Sequence, residues 1–217
     1  MYSFRRCPYA MRARLAMYLS QIQYQLREVL LKDKPLHMLA LSPKGSVPVL
    51  LLPSDEVIDE SVDIMLWAFR QNDPGGMMTP ERGEFNDMMN LVKVNDTAFK
   101  FHLDRYKYPN RFEPADMNFH RNQAEAFLAE LDRRLQATPN LFGDALSFAD
   151  LAIAPFVRQF AHVDRTWFAQ TPYKDVQRWL KTFLDLDMFG AVMQKYEPWI
   201  DGDRPIYLGA GIKKAPT

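Results

Sequence analysis

Residues 2–15 read Tyr2-Ser3-Phe4-Arg5-Arg6-Cys7-Pro8-Tyr9-Ala10-Met11-Arg12-Ala13-Arg14-Leu15. This stretch contains four arginines and the only cysteine of the 217 residues, and the first acidic residue of the chain is Glu28. Its short aromatic start, residues 2–4, predicts a strand. Proline is favoured at the first position of a helix, and apolar residues recur at helical spacing after Pro8. We therefore expect Cys7 to cap a helix that begins directly after a strand.

A cysteine at a helix N-terminus has a distinctive chemistry. The unpaired N–H groups there stabilise an anion and can lower the pKa of a thiol from about 8.5 to about 3.5–7.5. The four arginines would act in the same direction if they approach the sulfur. The alternative is a buried structural cysteine, which is a common role for this residue type. The neighbouring proline and the local positive charge favour a reactive thiol at Cys7.

The number of cysteines limits the redox chemistry. A dithiol oxidoreductase carries Cys-x-x-Cys, and its second cysteine resolves the mixed disulfide. Here Ala10 stands at that second place and no other cysteine exists. An external thiol must therefore release any covalent intermediate, or the thiolate must attack an electrophile directly. This indicates a small cellular thiol as a partner.

Composition excludes several classes of function. The 27 basic and 27 acidic side chains cancel, which disfavours nucleic acid as a partner. The longest apolar run, residues 47–52, is too short to span a membrane. The single cysteine and the lack of an apolar N-terminal leader predict a cytoplasmic protein. The four histidines have no mutual metal spacing, so we expect no metal site.

The pattern of secondary structure changes along the chain. In about the first seventy residues the predicted order is βαβαββα. Its strands are predicted at 2–4, 23–31, 47–52 and 56–58, and its helices after residue 8, at 36–41 and from 61. Residues 73–80 hold two prolines and two glycines and indicate a linker. Later helices are predicted at 81–106, 115–135, 147–160, 173–184 and 187–196. We expect an α/β domain at 1–72 and an all-α domain at 81–217.

Some residues allow two interpretations. Pro48 opens an apolar strand, where a proline cannot donate a ladder hydrogen bond. A cis Val47–Pro48 bond would accommodate the proline there, although only about 5–6% of X-Pro bonds are cis. Ser61 suits the N-cap of a helix, where it and Glu60 could receive a carboxylate or form an ordinary cap.

The helical half contains an aromatic-rich stretch between residues 99 and 119. Tyr106 and Tyr108 lie in the more polar part of this stretch. Two interpretations are open: the tyrosines line a hydrophobic substrate pocket, or they pack in the hydrophobic core. Residues 147–150, Ser-Phe-Ala-Asp, form a variant of the capping box.

The stretch 2–15 closely resembles the start of the cysteine-type glutathione transferases, the omega class above all. Similar segments follow at 31–35 (Leu-Lys-Asp-Lys-Pro), 42–50 (Ser-Pro-Lys-Gly-Ser-Val-Pro-Val-Leu) and 59–61 (Asp-Glu-Ser). Residues 147–150 resemble the capping motif of that family's helical domain. The resemblance spans the chain and is dense in the first seventy residues. It implies a thioredoxin-like domain, a C-terminal helical bundle and a homodimer.

The same resemblance implies a glutathione site in the first domain. The backbone of Val47 would pair with the cysteinyl part of glutathione, next to a cis Pro48. Glu60 and Ser61 would hold the γ-glutamyl end, and Lys34 would hold the glycyl carboxylate. A helix N-terminus suits the one carboxylate and a flexible cation suits the other.

These features lead to one main hypothesis and two alternatives. The Cys7 thiolate of a glutathione-dependent thiol transferase or reductase would attack a disulfide or electrophilic substrate and form a mixed disulfide with glutathione. A second glutathione would then release Cys7. The first alternative is a conjugating transferase in which Tyr2, Ser3 or Tyr9 activates glutathione. The second is a non-catalytic interaction protein that keeps the fold.

Overall fold

The computed structural model describes residues 1–112 and 116–209, which form two compact units. The first unit comprises residues 1–75 together with the described chain from Leu186 onward. The second unit comprises Gly76–Asp185. The sequence groups the whole of 81–217 into one helical domain, whereas the described residues after Asp185 belong to the first unit. None of the helices in the described ranges is long and apolar enough to cross a bilayer.

The first unit begins with the predicted βαβαββα order, which is the thioredoxin-like arrangement. Strand β1 pairs with β2 in parallel, with Tyr2 opposite Arg27, and β3 pairs with β4 antiparallel. Backbone hydrogen bonds of 2.8 and 3.1 Å between Tyr2 and Val49 join the two pairs. The strands are β1 (Tyr2–Ser3), β2 (Tyr24–Glu28), β3 (Leu50–Leu51) and β4 (Val57–Ile58), and the helices are α1 (Pro8–Leu19), α2 (Leu36–Leu41) and α3 (Ser61–Gln71).

Two later elements complete the first unit. Strand β5 (Ile206–Leu208) pairs antiparallel with β2, and helix α10 (Asp187–Val192) packs against α1. The sequence predicts a helix near 187–196 but no strand at 206–208. The strand has three residues, and Tyr207 at its centre is half exposed. The pairing of β5 with β2 depends on backbone groups. The side chains of β5 do not alternate between buried and exposed, so its sequence lacks the period-2 pattern that predicts a strand.

The second unit is helical, as predicted. A π-helical segment, Asn95–Phe99, interrupts the predicted helix 81–106, and α8 was not predicted. The predicted helix 115–135 is found from Met117, and its first residue, Ala115, lies outside the described residues. The helices are α4 (Phe85–Val94), α5 (Lys100–Lys107), α6 (Met117–Leu135), α7 (Phe148–Ala161), α8 (Arg165–Gln170) and α9 (Lys174–Leu184), and a 3-10 turn covers Pro109–Arg111.

Helix α7 forms the centre of the second unit and begins at the predicted capping box. Ser147 is its N-cap, and the fully buried Asp150 accepts hydrogen bonds from the Ser147 amide (2.9 Å) and hydroxyl (2.6 Å). The same carboxylate accepts from the Leu141 amide (3.0 Å) and from Trp179 Nε1 (2.8 Å). Asp150 therefore joins the start of α7 to the preceding loop and to α9.

Replacement of this carboxylate tests its structural role. Asp150→Ala leaves two buried donors, the Leu141 amide and the Trp179 indole, without their acceptor. We expect the free energy of unfolding to fall by about 3 kcal/mol or more, because each orphaned buried donor costs about 1–3 kcal/mol. Denaturant titration measures this value, with Asp144→Ala as the control at an exposed aspartate. Equal loss of stability in the two variants would contradict the assignment.

Candidate active site

Cys7 lies at the N-cap of α1, as the sequence predicts. Its amide donates to the Phe4 carbonyl (2.9 Å), which closes a turn, and its carbonyl accepts from Met11 (2.9 Å) in the first turn of the helix. The side chain is half-buried beside the apolar cluster of the first unit. The residue that caps α1 is thus the one nucleophilic thiol of the chain.

The Cys7 thiol also contacts the chain at Val47. Its Sγ donates to the Val47 carbonyl over 3.7 Å. This contact favours the protonated thiol, whereas the N-terminus of α1 favours the thiolate, so the two act on the Cys7 proton in opposite directions. The Val47–Pro48 peptide bond is cis, as the family resemblance implies. Within 1–112 and 116–209 the Val47 amide makes no backbone hydrogen bond, and Val47 is buried.

The start of α3 differs in one detail from the prediction. Glu60 is the N-cap and Ser61 the first helical residue, where Ser61 had been expected to cap. Ser61 is buried, and its hydroxyl accepts from Arg12 Nε over 2.9 Å. Arg12 is buried as well and lies in α1. The beginnings of α1 and α3 are therefore joined by a buried hydrogen bond.

Lys44, to which the sequence assigns no role, contacts the residues at the start of α3. Its ammonium lies 2.6 Å from a Glu60 oxygen and 2.9 Å from an Asp59 oxygen. The Ser42 hydroxyl donates to Asp59 over 2.6 Å, and Ser42 together with Lys44 lowers the pKa of Asp59. Because Lys44 and Glu60 are exposed and Asp59 is partly exposed, the two ion pairs add little stability and mainly set the positions of the side chains. Sixteen residues separate Lys44 from Glu60, so no local pattern could reveal the contact.

Lys34 lies beside the turn that carries Lys44. Gly45 has φ +62°, and a Cβ at this glycine would meet the Lys34 ammonium at 3.5 Å and Leu39 at 3.3 Å. A larger residue would therefore be strained by its backbone and would press on Leu39, while its Cβ would be in ordinary contact with Lys34. Lys34, the predicted cation for the glycyl carboxylate, is half-buried beside Gly45, which directly follows the Lys44 that contacts Glu60.

The two tyrosines predicted for a substrate pocket are placed differently. Tyr106 is buried with its ring 5.2 Å from that of Phe160, and burial raises its pKa. The packing interpretation thus describes Tyr106. Tyr108 ends α5 half-buried, with the Arg111 guanidinium 4.2 Å and the Lys107 ammonium 5.0 Å from its ring centre. Both residues belong to the second unit.

The hydroxyl groups near Cys7 in sequence are largely engaged or enclosed. The Tyr2 hydroxyl lies 2.6 Å from His37 Nδ1 and accepts from Arg27 Nη1. Ser3 is fully buried, and its hydroxyl finds no hydrogen-bond partner within the described ranges. Tyr9 is half-buried. Of these three candidates for activating a ligand thiol, two lack an accessible hydroxyl.

His102 and His120 form a pair that their sequence spacing did not suggest. They lie on α5 and α6, and their Nδ1 atoms are 2.9 Å apart between the rings of Phe101 and Phe119. Burial lowers the pKa of both imidazoles, and the charge of Arg105 acts in the same direction. Among the residues described, no three His, Cys, Asp or Glu side chains gather as metal ligands would. The pair is a neutral hydrogen-bonded contact between two helices.

Family models match both halves of the chain. A model described as "Glutathione S-transferase, N-terminal domain" matches residues 1–76. A second, described as "Glutathione S-transferase, C-terminal domain", matches residues 100–182. The two matches together cover most of the sequence and include every element named above for Cys7, Val47 and Glu60.

Curated relatives and solved structures agree with these models. The chain is 25% identical over 213 residues to "Probable glutathione S-transferase DHAR2, chloroplastic" of Oryza sativa subsp. japonica, covering 94% of this chain and 71% of that protein. It is 22% identical over 210 residues to "Glutathione S-transferase DHAR2" of Arabidopsis thaliana, covering 90% and 88%. A Pseudomonas putida glutathione transferase with one glutathione disulfide bound per subunit has a TM-score of 0.76 at 18% identity, covering 89% of each chain. A Pseudomonas fluorescens pf-5 family member with two glutathione bound has a TM-score of 0.75 at 16% identity, covering 88% and 90%.

The histidine pair predicts a pH-dependent stability. Because the pKa values of His102 and His120 are lower in the folded chain than in the unfolded one, the unfolded state binds more protons as the pH falls below about 6.5. The free energy of unfolding should therefore decrease on acidification from pH 7 to pH 5. Chemical denaturation at each pH measures this slope.

Histidine variants show which groups cause this pH dependence of the free energy of unfolding. The double variant His102→Gln with His120→Gln should show a shallower decrease than the wild type. The slope that remains should fall further in His162→Gln, because burial lowers the pKa of His162 to about 4. A wild-type slope in the double variant would mean that other groups cause the pH dependence.

Proposed function

The chain belongs to the glutathione S-transferase superfamily, and on that premise we propose that it is a glutathione-dependent thiol transferase acting through Cys7. The observation that carries the proposal is the position of the sole cysteine, at the N-cap of α1 and 3.7 Å from the Val47 carbonyl. The DHAR names of the two plant relatives support chemistry of the dehydroascorbate-reductase type. We assign the chain to the cysteine-type enzymes, with the omega class as the most similar.

The proposed reaction has two displacement steps. The Cys7 thiolate attacks the glutathione sulfur of a mixed disulfide, the old S–S bond breaks, and the substrate leaves as a thiolate that takes up a proton. A second glutathione thiolate then attacks the glutathione sulfur of the Cys7 disulfide. Oxidised glutathione leaves and the Cys7 thiolate is restored. Because the chain has no second cysteine, glutathione must perform the resolving step.

The glutathione-binding residues are proposed along the first unit. The unpaired Val47 amide would bond the cysteinyl backbone, and the N-terminus of α3 at Glu60 and Ser61 would receive the γ-glutamyl end. Lys34, at the Gly45 turn, would meet the glycyl carboxylate. The hydrogen bond from Arg12 supports this assignment, since it holds Ser61 in one orientation. The cis Pro48 next to Val47 completes the set.

The proposal also covers the second substrate, the oligomeric state and the cellular compartment. The second substrate is a small disulfide or electrophile, and Tyr108 remains the pocket candidate in the second unit. A homodimer in a reducing cytoplasm, which supplies glutathione, fits the single cysteine. A hydroxyl-type conjugating enzyme receives less support because the Tyr2 hydroxyl is occupied by His37 and Arg27 and Ser3 is enclosed.

Removal of the Cys7 thiol tests the mechanism. We expect Cys7→Ala to lose glutathione-dependent disulfide reduction by about a thousandfold or more, since the covalent route is gone. The wild type should gain the mass of one glutathione on exposure to oxidised glutathione, and the variant should not. Intact-mass analysis and a coupled disulfide-reduction assay measure both effects.

The alternatives give opposite outcomes in the same experiment. Full disulfide-reducing activity in Cys7→Ala would end the proposed mechanism. Unchanged or higher conjugation of an aryl halide in Cys7→Ser would favour the hydroxyl-type enzyme. Failure to bind immobilised glutathione, with slow alkylation of Cys7 at pH 6, would favour a non-catalytic protein.

The binding residues are tested separately from the nucleophile. Ser61→Ala and Lys34→Met should each raise KM for glutathione about tenfold, because each removes one hydrogen bond or charge at a carboxylate. The rate of Cys7 alkylation by iodoacetamide should stay near the wild-type value, since neither residue contacts the sulfur. Lys32→Met, at an exposed lysine nearby in sequence, is the control, and an equal rise in KM for it would refute the assignment of Lys34.

A further inference from the structure

We propose that Glu28 is a positioning residue for Cys7, which it acts on through the turn before the sulfur and the helix after it. The inference deepens the proposed function and rests on it, because it concerns the same thiol. Glu28 ends β2 and does not touch Cys7 in any contact described. Its side chain instead fixes the two segments between which Cys7 lies.

The turn before Cys7 is held by one oxygen of Glu28. Residues 4–7 form a turn closed by the hydrogen bond from the Cys7 amide to the Phe4 carbonyl, 2.9 Å. Within that turn the Arg5 amide donates to Glu28 Oε1 over 2.6 Å. Strand β1 ends at Ser3, so the Arg5 amide lies beyond the strand and has no partner in the sheet ladder. The Glu28 carboxylate is its acceptor. The path of the backbone into Cys7 thus depends on an acceptor supplied by a side chain.

The helix after Cys7 is held by the other oxygen. Arg14 lies in α1, two turns beyond its N-terminus, and its Nη1 donates to Glu28 Oε2 over 3.3 Å. The Arg14 side chain is 0% exposed and that of Glu28 8%. One buried carboxylate therefore ties the turn and the helix to the same strand.

Stability alone is a poor explanation for this pair. Two charges lose their hydration on burial, and replacing a buried ion pair by apolar residues is often neutral or stabilising. Burial raises the pKa of Glu28, which shows that its charge is costly here. Within the described ranges Arg14 Nε and Nη2 have no hydrogen-bond partner, so Arg14 is satisfied only in part. What an apolar pair could not replace is the acceptor for the Arg5 amide.

The surroundings of the pair contain few other charges. Tyr24, on β2 beside Arg14, has its pKa raised to about 12 by burial and is neutral. The Tyr196 ring lies 6.0 Å from the Arg14 guanidinium, and burial raises its pKa as well. The Arg5 guanidinium is directed away, with its Nη1 donating to the Met193 carbonyl over 3.3 Å. Glu28 is thus the acid that Arg5 and Arg14 share.

The consequence for Cys7 is chemical as well as geometric. Amides at a helix N-terminus stabilise a thiolate only when the sulfur is held over them, and this effect falls off within the first turn. In the structure the Cys7 side chain makes no capping hydrogen bond and its thiol donates to the Val47 carbonyl over 3.7 Å, so the turn of residues 4–7 must keep the sulfur near the α1 N-terminus for the thiolate to gain from those amides. If the Arg5 amide loses its acceptor, this turn loosens and the sulfur moves away from the helix N-terminus. The thiol of Cys7 would then ionise at a higher pH.

Two double variants separate the acceptor from the charges. Arg14→Met with Glu28→Gln removes both charges and keeps an oxygen for the Arg5 amide. Arg14→Met with Glu28→Leu removes the charges and the oxygen. The readout is the rate of iodoacetamide alkylation of Cys7 as a function of pH, measured without glutathione. A merely structural role of Glu28 would not shift the midpoint of this pH profile. We expect the Gln variant to keep the wild-type midpoint and the Leu variant to shift it upward by about one pH unit, so that alkylation at pH 6 slows about tenfold.

The outcomes also distinguish this inference from the proposed function. Equal pH profiles for the two double variants would overturn the role of Glu28, whatever the activity of Cys7→Ala. Retained activity in Cys7→Ala would overturn the proposed function without altering the alkylation result. Should the Leu variant fail to fold, Glu28→Asp replaces it in the experiment. The aspartate keeps the charge, but its side chain is one methylene too short to reach Arg5 and Arg14 together. An unchanged midpoint in that variant would equally refute the inference.

Discussion

The first unit depends on the pairing of Tyr2 with Val49. Two backbone hydrogen bonds hold the strand that leads to Cys7 beside the segment that contains Val47 and Pro48. Without this pairing the thiol and the Val47 carbonyl would belong to separate parts of the chain, 40 residues apart. Every role considered for Cys7 requires this neighbour, since a thiol alone can react but cannot align a peptide ligand. Sheet formation and the assembly of the candidate site are therefore the same event.

The local parts of this arrangement could be predicted from the sequence. Pro8 marks the start of α1, so the N-cap position of Cys7 follows from its place directly before proline. The capping box of Ser147 and Asp150 has a fixed spacing of three residues, and both of its bonds are present. Such features depend on neighbours within one helical turn. For this reason a single sequence is enough to locate them.

The distant parts could not be predicted in this way. The sequence leaves open whether any of the early arginines approaches the Cys7 sulfur, and in the structure Arg14 pairs with Glu28 and Arg12 contacts Ser61. Long flexible side chains reach partners on other elements, and no periodicity records which partner they choose. The pairing of His102 with His120 has the same origin, because the packing of α5 against α6 brings together residues that are 18 positions apart. The cis bond at Val47–Pro48 was implied only by family resemblance.

Strand β5 makes the first unit discontinuous along the polypeptide. Its residues, Ile206–Leu208, cover the edge of β2, while the 110 residues of Gly76–Asp185 form the other unit. During synthesis on the ribosome, the edge of β2 stays open until residue 208 has left the exit tunnel. An isolated fragment cut at the linker would expose that edge permanently, and an unpaired edge strand invites association with other chains. A single cut of the chain therefore cannot release the first unit with all of its strands.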